Sequence, residues 1–354
     1  MSRKNARPGN ERANNVKPKN ERPHNEKPKN ERPYNEKPKN ERLHNEKSKN
    51  ARQKNERPNN VRPMSVNPRK KRGKGLSIPW LWSGVQFLII IFVVFCASIF
   101  FLQNFMIFHH VMDEESRLHL QERPEFHEVE IITEDEKVHH GVMRRVQDRR
   151  APLIIYFGGN AEVSYGHMYA MNRSNLWPYF SGYHYLFIDY DGYGLNRGRA
   201  SYQNMQEVAL AAFDYAASHP YVDSSRIIAM GFSLGTHSAV YLAANRPVEG
   251  LILLAAYANG YDLYNNVLPV FRGPMTGLVR QKLPSDYYAP MVTCPVLIIA
   301  SYTDEIIPFD SAEYLATLFP RQVDFMTLMG VSHNEVFVAD GVPERIQSFL
   351  EDIH

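Results

Sequence analysis

The chain has 354 residues, with 41 Lys and Arg against 38 Asp and Glu, for a formal net charge of +3. That near-balance hides a division: residues 1–78 hold 24 bases and 8 acids, net +16, and the remainder is net −13. Two cysteines, Cys96 and Cys294, exclude a disulfide framework in the downstream part, and the length allows one large domain with extensions.

Residues 1–68 form a basic tail built on a pentapeptide repeat. Asn stands at every fifth position from Asn5 to Asn60, and a base follows two places later, from Arg7 to Arg62. A period of five matches neither a helix nor a strand. Frequent Pro and a dearth of large apolar side chains predict a disordered segment with polyproline-II character, not a stacked solenoid. Its charge suits weak contact with anionic lipid. Tyr34 is the one aromatic available to stack on a base, so nucleic acid is not expected as a partner.

Residues 69–108 read as a membrane anchor. A basic cluster, Arg69-Lys70-Lys71-Arg72-Gly73-Lys74, precedes an uncharged apolar run from Trp80 to Leu102. At about 1.5 Å per residue this run reaches roughly 34 Å, enough for a bilayer core. Trp80 and Trp82 sit where an aromatic belt belongs, and Asp113, Glu114 and Glu115 follow on the other side. The positive-inside rule then places the amino terminus in the cytoplasm and residues 110–354 outside it, in a single-pass signal-anchor topology. The run starts too far into the chain for a cleaved signal peptide. Cys96 is read as an inert apolar residue. Residues 109–124 read as a linker.

From 125 to 354 strand-like and helix-like stretches alternate. A hairpin is predicted over Phe126–Thr133 and Val138–Val146, and further strands at Leu153–Phe157, Tyr183–Asp189, Ile227–Met230, Leu251–Ala255, Val296–Ala300 and Val323–Leu328. Helices are predicted near Glu162–Tyr179, Tyr202–His219, Leu234–Asn245, Ser311–Phe319 and Val342–Ile353. Residues 257–294 carry no clear strand. This order implies an α/β fold, a mostly parallel sheet with helices on both faces. Ligands of such sheets bind beyond the carboxyl ends of the strands.

The chemistry centres on Gly231-Phe232-Ser233-Leu234-Gly235, which joins a strand to a helix in the manner of a nucleophile elbow. A serine hydroxyl needs an adjacent base, and that base needs a carboxylate to fix its tautomer. His333 follows the strand Val323–Leu328, and no other histidine lies between the candidate acids and the last helix. Asp304, after the strand Val296–Ala300, is the candidate acid; Glu305 and Asp310 are the alternatives. Leu234 N–H is one expected oxyanion donor. The loop Gly158-Gly159-Asn160-Ala161-Glu162 is expected to supply the second through Asn160 N–H. No cofactor is called for. The adjacent pairs His109-His110 and His139-His140 have poor spacing for a shared metal and read as surface residues.

In their order along the chain, YFGGNAE, FIDYDGYGLNRG, GFSLG, SYTDEIIP and GVSHNE resemble the single-pass membrane-linked serine hydrolases of the α/β-hydrolase superfamily, relatives of lysophospholipases, monoacylglycerol lipases and protein depalmitoylases. The resemblance covers about 115–354. It departs from the family at Gly158 and Glu162 in the oxyanion loop, and at Asp191 and Asn196, where the family often has Arg and Ser; these positions are expected to alter the pocket rim. The resemblance implies hydrolysis of an ester, thioester or amide through an acyl-serine intermediate. It also implies that residues 257–294 form a small cap, whose Tyr261, Leu263, Tyr264, Val267, Leu268, Val270 and Phe271 would line an acyl pocket. A membrane-bound peptidase of the same fold is the second reading, although no acidic pair is evident to hold a substrate amino terminus. A catalytically silent membrane receptor or scaffold is the third; an intact Ser, Asp, His order stands against it.

Overall fold

The computed structural model describes residues 79–353, apart from Leu268 and Val270. The repeat tail and the basic cluster Arg69–Lys74 lie outside the described residues, as do Leu268, Val270 and the side chains of Trp80 and Val267.

A long helix, α1 (Pro79–Ile107), opens the described chain. Within it Trp82–Phe105 is long and apolar enough to cross a membrane. From Trp82 to Phe95 the side chains are exposed on every face; beyond them, Ile99, Gln103 and Phe108 become buried. The helix therefore runs five residues past the apolar stretch read from the sequence and ends against the domain. The expected linker 109–124 is not a plain connection. It carries α2 (Glu114–Gln121), started by Asp113, whose Oδ1 accepts the Ser116 N–H at 3.0 Å, and seated through the buried Leu120.

The strands β1 (Phe126–Ile132), β2 (Val138–Arg144), β3 (Ala151–Phe157), β4 (His184–Ile188), β5 (Val222–Phe232), β6 (Gly250–Leu254), β7 (Val296–Ser301) and β8 (Asp324–Leu328) form one sheet in the order β1-β2-β4-β3-β5-β6-β7-β8. The hairpin β1–β2 is antiparallel and pairs onto β4; from β3 to β8 all pairings are parallel. Every residue of β3, β4, β6 and β7 is buried, as parallel strands covered on both faces require. The edge strand β1 instead alternates buried and open positions.

The covering helices are α3 (Ser164–Arg173), α4 (Tyr202–Ser218), α5 (Thr236–Asn245), α8 (Phe309–Leu318) and α9 (Val342–Asp352). The predicted helix 162–179 is two pieces, because Asn175 takes a left-handed φ of 51° and a separate 3-10 turn, Trp177–Phe180, follows. The cap contains α6 (Gly260–Val267), α7 (Ser285–Tyr288) and two 3-10 turns, Gly273–Leu278 and Ala289–Met291. Strand order reverses around β3: the chain passes from β3 to β4 on one side, then crosses back to β5 on the other. That switch point opens a crevice at the carboxyl ends of β3 and β5.

Candidate active site

Ser233 sits at the crevice, on the turn between β5 and α5. Its φ of 50° is left-handed, a conformation that costs a non-glycine residue on the order of 1–3 kcal/mol. Packing holds it there. A Cβ at Gly231 would lie 2.6 Å from the Gly235 carbonyl oxygen, and one at Gly235 would lie 2.0 Å from that of Phe157. Only glycine lets the end of β3, the turn and the start of α5 come this close. Tyr257 completes the support by donating its hydroxyl to Leu234 O at 3.0 Å.

The other two motifs converge on Ser233. His333 Nε2 lies 2.8 Å from Ser233 Oγ, and His333 Nδ1 lies 2.7 Å from Asp304 Oδ2. Asp304 is fixed in turn: its Oδ1 accepts the N–H groups of Ile306 and Ile307, both at 2.8 Å. Of the alternative acids, Glu305 instead accepts the backbone N–H of His333 at 3.1 Å, and Asp310 lines a separate surface hollow. A capping box of Ser332 and Glu335 begins the turn that carries His333. Ser233, His333 and the Asp304 side chain are all nearly inaccessible to solvent.

The loop after β3 closes the other side. Glu162 folds back beneath it: one carboxylate oxygen accepts Gly159 N–H at 2.7 Å, the other meets His167 Nδ1 at 2.7 Å, and Tyr156 donates its hydroxyl. Burial works against the Glu162 charge, but His167 and these donors outweigh it and hold its carboxyl below the usual range. The carboxylate thus braces the loop from within. Ala161 takes a left-handed φ of 60°. The Asn160 side chain is committed to structure: Oδ1 accepts from Tyr193 Oη at 2.7 Å and from His109 N at 3.2 Å, while Nδ2 donates to Ile107 O at 2.7 Å.

A cavity of about 470 Å³ lies over Ser233, within the range of small-ligand sites. Leu263, Tyr264 and Phe271 of the cap line it as expected, with Phe232, Leu234, Ile306, His333, Asn334 and Asn160. Tyr261 packs against the core instead. The sequence reading missed a whole wall: Ile99, Gln103 and Ile107 of α1, and His109 just beyond, also line the cavity. The only signal for it was the amide pair Gln103-Asn104 closing an otherwise apolar run.

Two expectations are corrected. His139 is not a surface residue; it is buried, with Nε2 2.5 Å from Asp191 Oδ1. Nor do Asp191 and Asn196 form the pocket rim. Asp191 also accepts from Asn204 Nδ2, while Asn196 accepts His140 N–H at 2.7 Å and donates to Asp189 O at 2.6 Å. Both replacements are absorbed in a buried polar network that ties β2 to the loop after β4 and keeps their polar atoms paired. Gly158 and Glu162 likewise belong to the inner side of the loop after β3 and do not line the cavity.

Comparison with known proteins agrees with this architecture. Residues 195–333 match the dienelactone hydrolase family. The alpha/beta hydrolase domain-containing protein aho-3 of Caenorhabditis elegans is 29% identical over 192 residues, covering 53% of this chain and 56% of that protein. An uncharacterized protein of Mycobacterium tuberculosis is 32% identical over 169 residues, covering 47% and 59%. Among solved structures, the Pyrococcus furiosus esterase Pf2001 superposes with a TM-score of 0.56 at 16% identity, over 70% of this chain and 98% of that one. The chain has the α/β-hydrolase fold, and its residues 195–333 carry the match to a hydrolase family. It spans a little over half the length of the relatives it matches.

Proposed function

We propose that this protein is a membrane-anchored serine hydrolase that cleaves a carboxylic ester or thioester, with a lipid-like acyl group as substrate. One observation carries the reading: the continuous chain from Ser233 Oγ through His333 to Asp304, at 2.8 and 2.7 Å, set beneath an apolar cavity. His333 takes the Ser233 proton as Oγ attacks the acyl carbon, and Asp304 steadies the imidazolium. The N–H groups of Leu234 and Asn160 receive the developing oxyanion. His333 then protonates the leaving alcohol or thiol. Water, activated by the same histidine, releases the acid and restores Ser233.

Among the described lining residues there is no Asp, Glu, Lys or Arg, which favours an acyl chain over a peptide with a charged amino terminus. The fold and the match to a hydrolase family support the reaction class. The basic residues ahead of α1 and the acidic ones after it favour a cytoplasmic tail and an extracytoplasmic domain. The first experiment is labelling of membranes with a fluorophosphonate, comparing wild type with Ser233→Ala, followed by turnover of ester, thioester and peptide panels. Labelling that persists in the variant, or a preference for peptides, would overturn this reading. Protease added to intact cells should cut the domain and spare the tail; the reverse pattern places the domain in the cytoplasm.

A further inference from the structure

A tether needs only to be apolar and long enough, yet the carboxyl end of α1 is built into the catalytic domain. Ile99, Gln103 and Ile107 recur every four residues, so they share one helix face, and that face is a wall of the cavity over Ser233. The opposite face remains open: Phe101 and Phe105 are 71% and 84% exposed. One short stretch of helix thus presents apolar side chains outward and lines the active site inward.

Depth follows from length. The span Trp82–Phe105 has 24 residues, about 36 Å of helix at 1.5 Å per residue, against a hydrocarbon core of about 30 Å. Phe101 and Phe105 extend the outward apolar face to its last turns, and a core of about 30 Å counted from Trp82 would end close to Gln103. An acyl chain moving between α1 and the cap would reach Ser233 without crossing bulk water. Gln103 does not obstruct that path with an unmet polar demand. Its Oε1 accepts Arg280 N–H at 2.8 Å and its Nε2 donates to Leu278 O, so both ends of the amide are engaged by the cap backbone.

The same turns hold the oxyanion loop through the bonds of Ile107 O and His109 N to the Asn160 side chain. Cap and oxyanion loop, far apart in sequence, are therefore fixed to one helix end.

We infer that the carboxyl end of α1 is a specificity-determining wall of the active site, and that the substrate is a membrane lipid whose acyl chain enters laterally along the Ile99–Gln103–Ile107 face. The inference rests on the serine-hydrolase reading. Its test uses the full chain in lipid vesicles and a long-chain alkyl fluorophosphonate bearing a diazirine at the end of the chain. Serine attack on phosphorus expels fluoride and leaves the alkyl chain covalently held in its path. Irradiation should then cross-link residues within 99–107. Cross-links confined to the sheet or to the cap overturn the inference while leaving the labelled serine intact. Ile99→Phe, which narrows the wall, should lower the ratio of long-chain to acetyl ester turnover about tenfold, the scale of a filled apolar subsite. Phe101→Leu, on the outward face, should leave that ratio at the wild-type value. An unchanged ratio in Ile99→Phe that still labels at Ser233 sinks the inference alone; no labelling of wild type sinks the hydrolase reading and this inference with it.

Discussion

The elbow at Ser233 and the carboxyl end of α1 border the same cavity but are specified in different ways. The elbow is signalled locally: Gly231, Ser233 and Gly235 lie within five residues, and their spacing announces a turn that close packing then holds. The helix end is assembled from distant partners. Asn104 Nδ2 donates to Ala200 O at 3.1 Å, Gln281 Nε2 donates to Asn104 Oδ1 at 2.7 Å, and Asn160 bonds Ile107 and His109. Ser233 is thus positioned by strain and close packing, whereas its surroundings are positioned by hydrogen bonds across separate parts of the chain. Strain of the first kind is hard to relax; a network of the second kind can be taken apart one bond at a time.

The sharpest way to break the comparison is at the elbow. Ser233→Ala should remove more than about 10³-fold of the hydrolytic rate while the thermal transition stays near wild type, and His333→Ala should do nearly the same, because triad losses do not add. Hydrolysis surviving in Ser233→Ala near the wild-type rate would refute the assignment.

At the helix end the expected loss is smaller. Asn160→Ala removes the side chain that joins the oxyanion loop to Ile107 and His109 but keeps its backbone N–H. A fall in kcat of about 10- to 100-fold is expected, short of what deleting a direct oxyanion donor costs. The KM of a short ester should change little. A rate equal to wild type would separate the loop from α1.

Asp189 sharpens the comparison from beneath. Its carboxylate accepts Ser164 N–H at 2.6 Å and Ser164 Oγ at 2.8 Å, at the start of the helix that follows the oxyanion loop. Burial outweighs both bonds and pushes its carboxyl up to about 7. A folded value above the unfolded one gives stability that is full at about pH 4 and below and is lost as pH rises through about 7. Asp189→Asn should therefore melt close to wild type near pH 4 and gain over it as pH rises, by on the order of a few kcal/mol above pH 7. Melting curves of the two proteins that stay parallel from pH 4 to 8 would contradict this.

The smallest effect belongs to the tail. A chain beginning at Lys70 keeps most of the basic cluster and should insert in the same orientation, with turnover of a small ester unchanged per molecule. Most repeats lie too far along the chain to act on the membrane together, since salt screens charges beyond about 10 Å. A large loss of turnover in correctly inserted protein would assign the repeats a further role.

What the sequence made legible tracks this local and distant divide. The elbow, the acid and the histidine each follow a strand end, and short motifs with turn chemistry survive reading one stretch at a time. Strand boundaries drifted more: β5 begins at Val222, where Ile227 was expected, because its first residues pair only with Ala151 and lack an apolar pattern of their own. The buried His139–Asp191 pair was invisible because its members are 52 residues apart and each alone reads as polar surface. The α1 wall was hidden for the opposite reason. Apart from Gln103, the helix residues that meet the cavity, Ile99 and Ile107, are of the same apolar type as those on its open face.

Synthesis from the amino end sets an order for the contacts at the end of α1. The ribosome completes residues 99–109 before any strand of the sheet exists, and the partners that close the cavity, from Asn160 to Gln281, emerge later. A nascent chain anchored through α1 would fold its domain against a helix end already seated in the bilayer. The cavity over Ser233 would then be closed as one of the last steps of folding.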